Sequence, residues 1–106
     1  MLWGELLIEE AAYRRHIFQN LDKYLRKILE VARKLDDRSE VYLFGSVAEG
    51  RYILSSDIDI LVVTEVKPEL ILAEMWSNGV KDPFEIHVTT KDKLQLYAQR
   101  SKLIKI

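Results

Sequence analysis

Residues 44–63 join a glycine–serine turn to an apolar segment that opens with two acidic residues, and few folds accommodate that combination. Residues 57–64 are apolar enough after the acids to form a buried strand. Successive side chains of a strand point to opposite faces, so Asp57 and Asp59 are expected to share one face. Adjacent carboxylates repel each other unless a cation lies between them. Such oxygen ligands suit Mg²⁺ or Mn²⁺.

The turn before these acids is suited to a phosphate group. Residues 40–44 alternate in polarity and end at a glycine, which predicts a first strand. The residues after Gly45 are expected to open a short helix that Ser46 caps, so that free backbone N–H groups face an anion. Glycine–serine turns also occur without any ligand. Combined with the acidic pair, this one predicts metal-assisted chemistry on a phosphate compound.

The order of these residues resembles the signature of the nucleotidyltransferase superfamily, and within it the small group called minimal nucleotidyltransferases. The resemblance covers about residues 40–90. Its pattern is Gly-Ser, then Ala and Gly, then Ser-Asp-Ile-Asp-Ile-Leu-Val, with twelve residues from Gly45 to Asp57. One departure is visible, because members often carry arginine just before the second glycine. This chain has Glu49 there, and Arg51 follows the glycine instead.

The resemblance implies an α+β fold of layered α/β type, in which helices pack on a small mixed β-sheet and a long helical segment precedes it. The family places a third carboxylate on the strand beside the acidic one. Residues 83–89 are predicted to form that third strand, and Glu85 is the acid within it. His87 shares the face of Glu85. We interpret it as a half-exposed strand residue outside the catalytic set, with contact to a phosphate or to the outer shell of the metal as the alternative.

The resemblance also implies a reaction, the transfer of a nucleoside monophosphate, AMP from ATP, to a hydroxyl acceptor. Asp57 and Asp59 would bind two Mg²⁺ or Mn²⁺ ions, and Glu85 would complete the second metal site and accept the proton. Gly45 and Ser46 would hold the β- and γ-phosphates. The chain has no cysteine or histidine pair for a zinc site and no Gly-x-x-x-x-Gly-Lys loop, which argues against a zinc hydrolase and a P-loop NTPase.

Length and composition predict one minimal domain over residues 1–106. We expect an N-terminal helical segment at 1–38, a catalytic core at 40–90 and a basic C-terminal helix or tail at 91–106. That last segment has a local charge of +4, which leaves −5 elsewhere for the net charge of −1. We interpret it as a solvated end, and nucleic acid is an unlikely partner. Without cysteine, a secretion signal or a long apolar stretch, the chain is expected to be cytoplasmic with no membrane contact.

The N-terminal segment predicts helix because residues 5–37 contain neither glycine nor proline. Its second half has apolar residues at helical spacing, at Leu21, Leu25, Ile28, Ala32 and Leu35. Residues 6–18 are apolar over a wider arc, so the segment is either one helix or two, and it packs either on the sheet or on another protein. Later helices are predicted at 70–77, beginning near Pro68 and stopping at Gly79, and at 91–99.

The resemblance finally implies a partner. Minimal nucleotidyltransferases are typically paired with a small helical protein of the HEPN kind, a ribonuclease toxin, which they neutralise by attaching AMP to a tyrosine or by binding alone. We therefore expect an antitoxin that is an enzyme. The alternative is a non-catalytic binding module that neutralises a helical partner by complex formation alone. A homo-oligomer stays open.

Overall fold

A computed structural model describes residues 3–106, in which helices pack on a mixed four-stranded sheet. No helix within this range is long and apolar enough to cross a membrane. In chain order the elements are α1 (Trp3–Gln19), α2 (Leu21–Leu35), β1 (Glu40–Phe44), α3 (Gly45–Ala48), β2 (Ile58–Val63), α4 (Pro68–Ser77), β3 (Phe84–Thr89), a 3₁₀ turn (Lys91–Lys93), α5 (Leu94–Arg100) and β4 (Ile104–Lys105).

The strands lie in the order β3-β2-β1-β4. β1 is antiparallel to both of its neighbours, and β2 is parallel to β3, to which α4 provides the crossover connection. The register places Phe44 opposite Asp59, and Asp59 opposite Glu85. These three residues therefore form one row across the sheet, on a common face.

The other face of the sheet carries the main core. Alternate residues of β2, namely Ile58, Ile60 and Val62, are fully buried in one cluster with the apolar side of α2 and with Ile71 and Met75 of α4. Burying each such side chain contributes about 1.5 to 3 kcal/mol. The predicted helical spacing is confirmed for Leu25, Ile28 and Ala32, which belong to this cluster. Leu21 packs against the cluster, whereas Leu35, the last residue of the predicted face, is exposed. The polar row is thus attached to a rigid, well-packed sheet.

The N-terminal helical segment is divided into two helices at Asn20. The amide Nδ2 of Asn20 donates to the carbonyl oxygen of His16 at 2.9 Å, at the end of α1. Ile17 is the buried residue of α1, whereas every residue from 3 to 10 is exposed. Arg14 attaches the middle of α1 to the loop before β2, since its guanidinium donates to the carbonyl oxygen of Ser56 at 3.2 Å.

The C-terminal segment differs from the prediction of a helix or solvated tail. The predicted helix is present as the 3₁₀ turn and α5, but the chain then returns to the sheet as β4 and pairs with the free edge of β1. Lys105 donates to the Glu40 carboxylate at 3.1 Å, and this hydrogen bond holds the pKa of Glu40 below its usual value. A strand of two residues has no sequence periodicity, so only the available edge of β1 accounts for it.

Candidate metal centre

Two neighbouring strands bring three potential metal ligands together. Asp59 of β2 lies beside Glu85 of β3, and His87 follows on the same face of β3. The imidazole Nε2 of His87 is 3.4 Å from Oδ1 of Asp59 and 3.5 Å from Oε1 of Glu85. All three ligand atoms lie within 4.8 Å of one another, and this is the one group of that kind between residues 3 and 106.

The charges in this group are not balanced by the protein. Within the described range, His87 is the one basic side chain within 4 Å of the Asp59 and Glu85 carboxylates, and no lysine or arginine contacts either of them. The three side chains are partly exposed, so an ion or a ligand can reach them. Two carboxylates and an imidazole form a donor set that a divalent cation would complete. The residues present therefore fit the divalent metal predicted from the sequence.

The backbone of Gly45 lies close to the side chain of Asp59. Its φ of +74° lies in the left-handed region that favours glycine. A Cβ atom at this position would overlap Oδ2 of Asp59 and would lie 3.1 Å from its Cγ. The predicted role of Gly45 in holding a phosphate stays a prediction. The structure adds a different requirement, because the missing side chain leaves room for the Asp59 carboxylate.

The expectation that Ser46 caps the short helix is wrong. The N-cap of α3 is Phe44, and no side chain makes a capping hydrogen bond there. The helix begins at Gly45, so Ser46 already lies inside its first turn. A phosphate contact of Ser46 stays a prediction.

Asp57 is not part of the group. It is exposed and comes one residue before β2. Its predicted role as a metal ligand stays a prediction. Glu49 and Arg51, where the chain departs from the usual family pattern, form an ion pair with each other at 2.9 Å.

His87 is the residue that sequence reasoning left out of the site. Its spacing of two from Glu85 on one strand was the available signal. Its ring contacts Phe44 edge to face, with centroids 5.0 Å apart, and Phe44 in turn meets Tyr97 of α5 at 5.9 Å. Aromatic contacts of this kind restrict the orientation of the imidazole.

A mixed sheet, a glycine turn and acids on adjacent strands are the features that the sequence predicted for a nucleotidyltransferase. Comparison with known families supports this class. Residues 25–106 match the nucleotidyltransferase domain family, so the chain belongs to that family. The general reaction of this family is nucleotidyl transfer from a nucleoside triphosphate with a divalent metal ion. The chain is therefore assigned as a transferase.

Two solved structures are similar over most of their length. One is the crystal structure of a protein proposed to be a nucleotidyltransferase, with 29% identity and a TM-score of 0.60, covering 78% of this chain and 97% of that one. The other is a protein from Sulfolobus solfataricus with the same proposed activity, with 26% identity and a TM-score of 0.57, covering 89% and 85%. No curated protein matches. The predicted nucleotidyltransferase fold is confirmed.

Proposed function

We propose that this chain is a minimal nucleotidyltransferase that transfers AMP from ATP to a hydroxyl group. The observation that carries the proposal is the meeting of Asp59, Glu85 and His87 within 4.8 Å on an open face of the sheet. Asp59 and Glu85 would hold Mg²⁺ or Mn²⁺, with Asp57 as a further ligand. When bound, divalent cations supply stabilisation of the negative charge that develops on the entering and leaving oxygens.

The remaining roles belong to the side chains and the turn. In the reaction, the acceptor oxygen forms a bond to the α-phosphorus, the bond from that phosphorus to the bridging oxygen breaks, and pyrophosphate leaves. Glu85 is the more exposed of the two acids, so it is the group that can meet the acceptor and take its proton. Gly45 and Ser46, directly after β1, are the groups proposed to bind the β- and γ-phosphates.

The proposed acceptor is a tyrosine of a HEPN toxin, which would make the chain a cytoplasmic antitoxin. The support for a protein acceptor is the surface of α1. Its N-terminal half is exposed although it contains four large apolar side chains, Trp3, Leu6, Leu7 and Ile8. Leu7 also lines a groove of about 360 Å³ together with Ile53 and Leu54 of the loop before β2. Such a surface suits an apolar helical partner.

The same surface supports the second candidate function. A binding module that blocks a helical partner by complex formation alone needs the α1 surface and has no use for the acids. Such a module has no use for a donor set of two carboxylates and an imidazole, and the presence of that set favours the enzyme.

Replacement of Glu85 by Gln separates these two functions. Glu85→Gln should retain the fold and most nucleotide affinity, because Asp57 and Asp59 remain to hold a metal, but transfer should collapse with the loss of the proton acceptor. The measurement is the incorporation of label from α-labelled ATP into a HEPN-type partner, with the ribonuclease activity of the partner followed in parallel. Glu69→Gln, an exposed acid at the start of α4, is the matched control and should transfer normally. Full neutralisation without label, by wild type and Glu85→Gln alike, would instead establish the binding module.

A further inference from the structure

We propose that His87 is a nitrogen ligand of the divalent cation held by Asp59 and Glu85, and that this ligand makes the site prefer Mn²⁺, or a later first-row transition ion, over Mg²⁺. The inference deepens the proposed function, on which it rests for the presence of a metal. It assigns to His87 a direct bond to the ion, whereas the sequence predicted a half-exposed strand residue, with contact to a phosphate or to the outer shell of the metal as the alternative.

The distances around His87 suit a shared ion, and the contact of its Nε2 with Oδ1 of Asp59 is at most a long hydrogen bond. Its Nε2 is 3.4 Å from Asp59 and 3.5 Å from Glu85, beyond the usual N–H···O range of about 2.7 to 3.2 Å. Ligand atoms that share one metal at bonds of about 2.1 Å lie roughly 3.0 Å apart at right angles and roughly 3.4 Å apart in a tetrahedron. The two separations measured from His87 are therefore close to the edge of a tetrahedral coordination shell.

The ring of His87 is also held in place for such a role. It lies on β3 opposite Leu61 of β2, which is completely buried, so the backbone beneath the imidazole is anchored in the sheet. Phe44 meets the imidazole edge to face, and Tyr97 supports Phe44 from α5. A ligand that is already oriented loses little conformational entropy when it binds an ion.

The donor set determines which ion is preferred. Mg²⁺ favours oxygen ligands and retains several waters, whereas imidazole nitrogen suits transition ions. With two carboxylates alone, the site would discriminate little beyond the general order of affinities. An added imidazole stabilises a transition ion more than Mg²⁺, so removing it should reduce the ratio of the two affinities.

Pulsed electron paramagnetic resonance of bound Mn²⁺ tests the bond directly. The sample is the full chain without a histidine tag, loaded with Mn²⁺ alone, and the readout is echo modulation from a coordinated imidazole nitrogen. The chain contains two histidines, and His16 is exposed on α1, so His16→Asn is a matched control. We expect the nitrogen modulation in wild type and His16→Asn and its loss in His87→Asn. Modulation that persists in His87→Asn, or is absent from wild type, overturns the proposal.

Calorimetric titration with Mn²⁺ and with Mg²⁺ measures the selectivity. His87→Asn should weaken Mn²⁺ binding by about 10- to 100-fold, the range that even outer partners of metal ligands reach, and should weaken Mg²⁺ binding much less. His87→Asp, which creates an all-oxygen site, should bind Mg²⁺ at least as tightly as wild type and guards against a folding defect in the first variant. An unchanged ratio of the two affinities in both variants contradicts the proposal.

These measurements need no nucleotide transfer, so the two proposals can fail separately. Nitrogen-coordinated Mn²⁺ in a protein that labels no acceptor would support the His87 ligand and contradict the proposed function. Label transfer by His87→Asn with unchanged metal selectivity would support the proposed function and contradict the ligand.

Discussion

At the scale of single residues, Gly45 shows how one missing side chain positions a functional group. The Asp59 carboxylate occupies the space into which a Cβ of Gly45 would project. Gly50 has a nearly identical positive φ of +72°, compared with +74° at Gly45, yet a Cβ at Gly50 would meet no atom within 4 Å. A substitution at either glycine strains the backbone, but only a substitution at Gly45 also displaces the Asp59 carboxylate.

Gly45→Ala should therefore destroy metal binding, whereas Gly50→Ala should not. Both variants place alanine in the left-handed region and should lose about 1 kcal/mol of unfolding free energy for that reason. In Gly45→Ala the new methyl group also pushes the Asp59 carboxylate away from Glu85. Urea unfolding measures the common cost, and Mn²⁺ titration measures the specific one. Equal Mn²⁺ affinity in the two variants would mean that Asp59 can move aside without consequence.

At the scale of elements, α1 is attached to the protein at one end. Ile17 is completely buried near its C-terminal end, and Arg14 contacts the loop before β2, whereas residues 3–10 are exposed. An isolated helix this short is marginal in water, so the first turns depend on whatever covers them. Helix and sheet are thus joined through the second half of α1.

This difference predicts that two truncations in α1 lower the unfolding free energy by very different amounts. Ile17→Ala should destabilise the protein by about 2 to 5 kcal/mol, because it removes buried methyl groups and leaves a cavity. Leu7→Ala, at a side chain that is 64% exposed, should change the unfolding free energy by less than about 0.5 kcal/mol. Chemical denaturation of both variants at several protein concentrations checks this. A large, concentration-dependent cost at Leu7 would show that a second copy covers α1.

At the scale of the whole molecule, the sheet assembles a site from distant parts of the chain. Asp59 and His87 are 28 residues apart, and the crossover through α4 brings their strands side by side in parallel. Binding of an ion there couples to global stability, because the group exists only in the folded state. Ligand binding should then appear as resistance to unfolding.

Mn²⁺ or Mg²⁺ together with ATP should raise the melting temperature of the wild-type protein. At about 100 times the dissociation constant the expected gain is about 2.7 kcal/mol. Asp57→Asn combined with Asp59→Asn should abolish the gain and slightly raise the metal-free melting temperature, because it removes carboxylate repulsion. Thermal scans with and without ligand test this. A double variant at exposed positions, Asp22→Asn with Asp37→Asn, removes the same charge and should retain the gain. A wild-type melting curve that does not move with millimolar ligand would argue against a nucleotide site.

Most of the helices and strands, and the type of chemistry, could be predicted from the sequence, because both depend on local patterns. Helical spacing predicted α2, alternation that ends at a glycine predicted β1, and Pro68 with Gly79 bounded α4 correctly to within a residue or two. The acids Asp59 and Glu85 were selected from strand position and from resemblance to the family. Each of the helix and strand signals is a pattern within one short stretch of the chain.

Which side chains meet in the site could not be predicted from the sequence. The register between β2 and β3 places Glu85 beside Asp59 and brings in His87, whereas Asp57 stays outside the group of three ligands. The clash that a side chain at Gly45 would cause depends on how closely β1 and β2 approach, and β4 exists because β1 offers a free edge. Distances between strands follow from packing of the whole sheet, and no local pattern of residues encodes them.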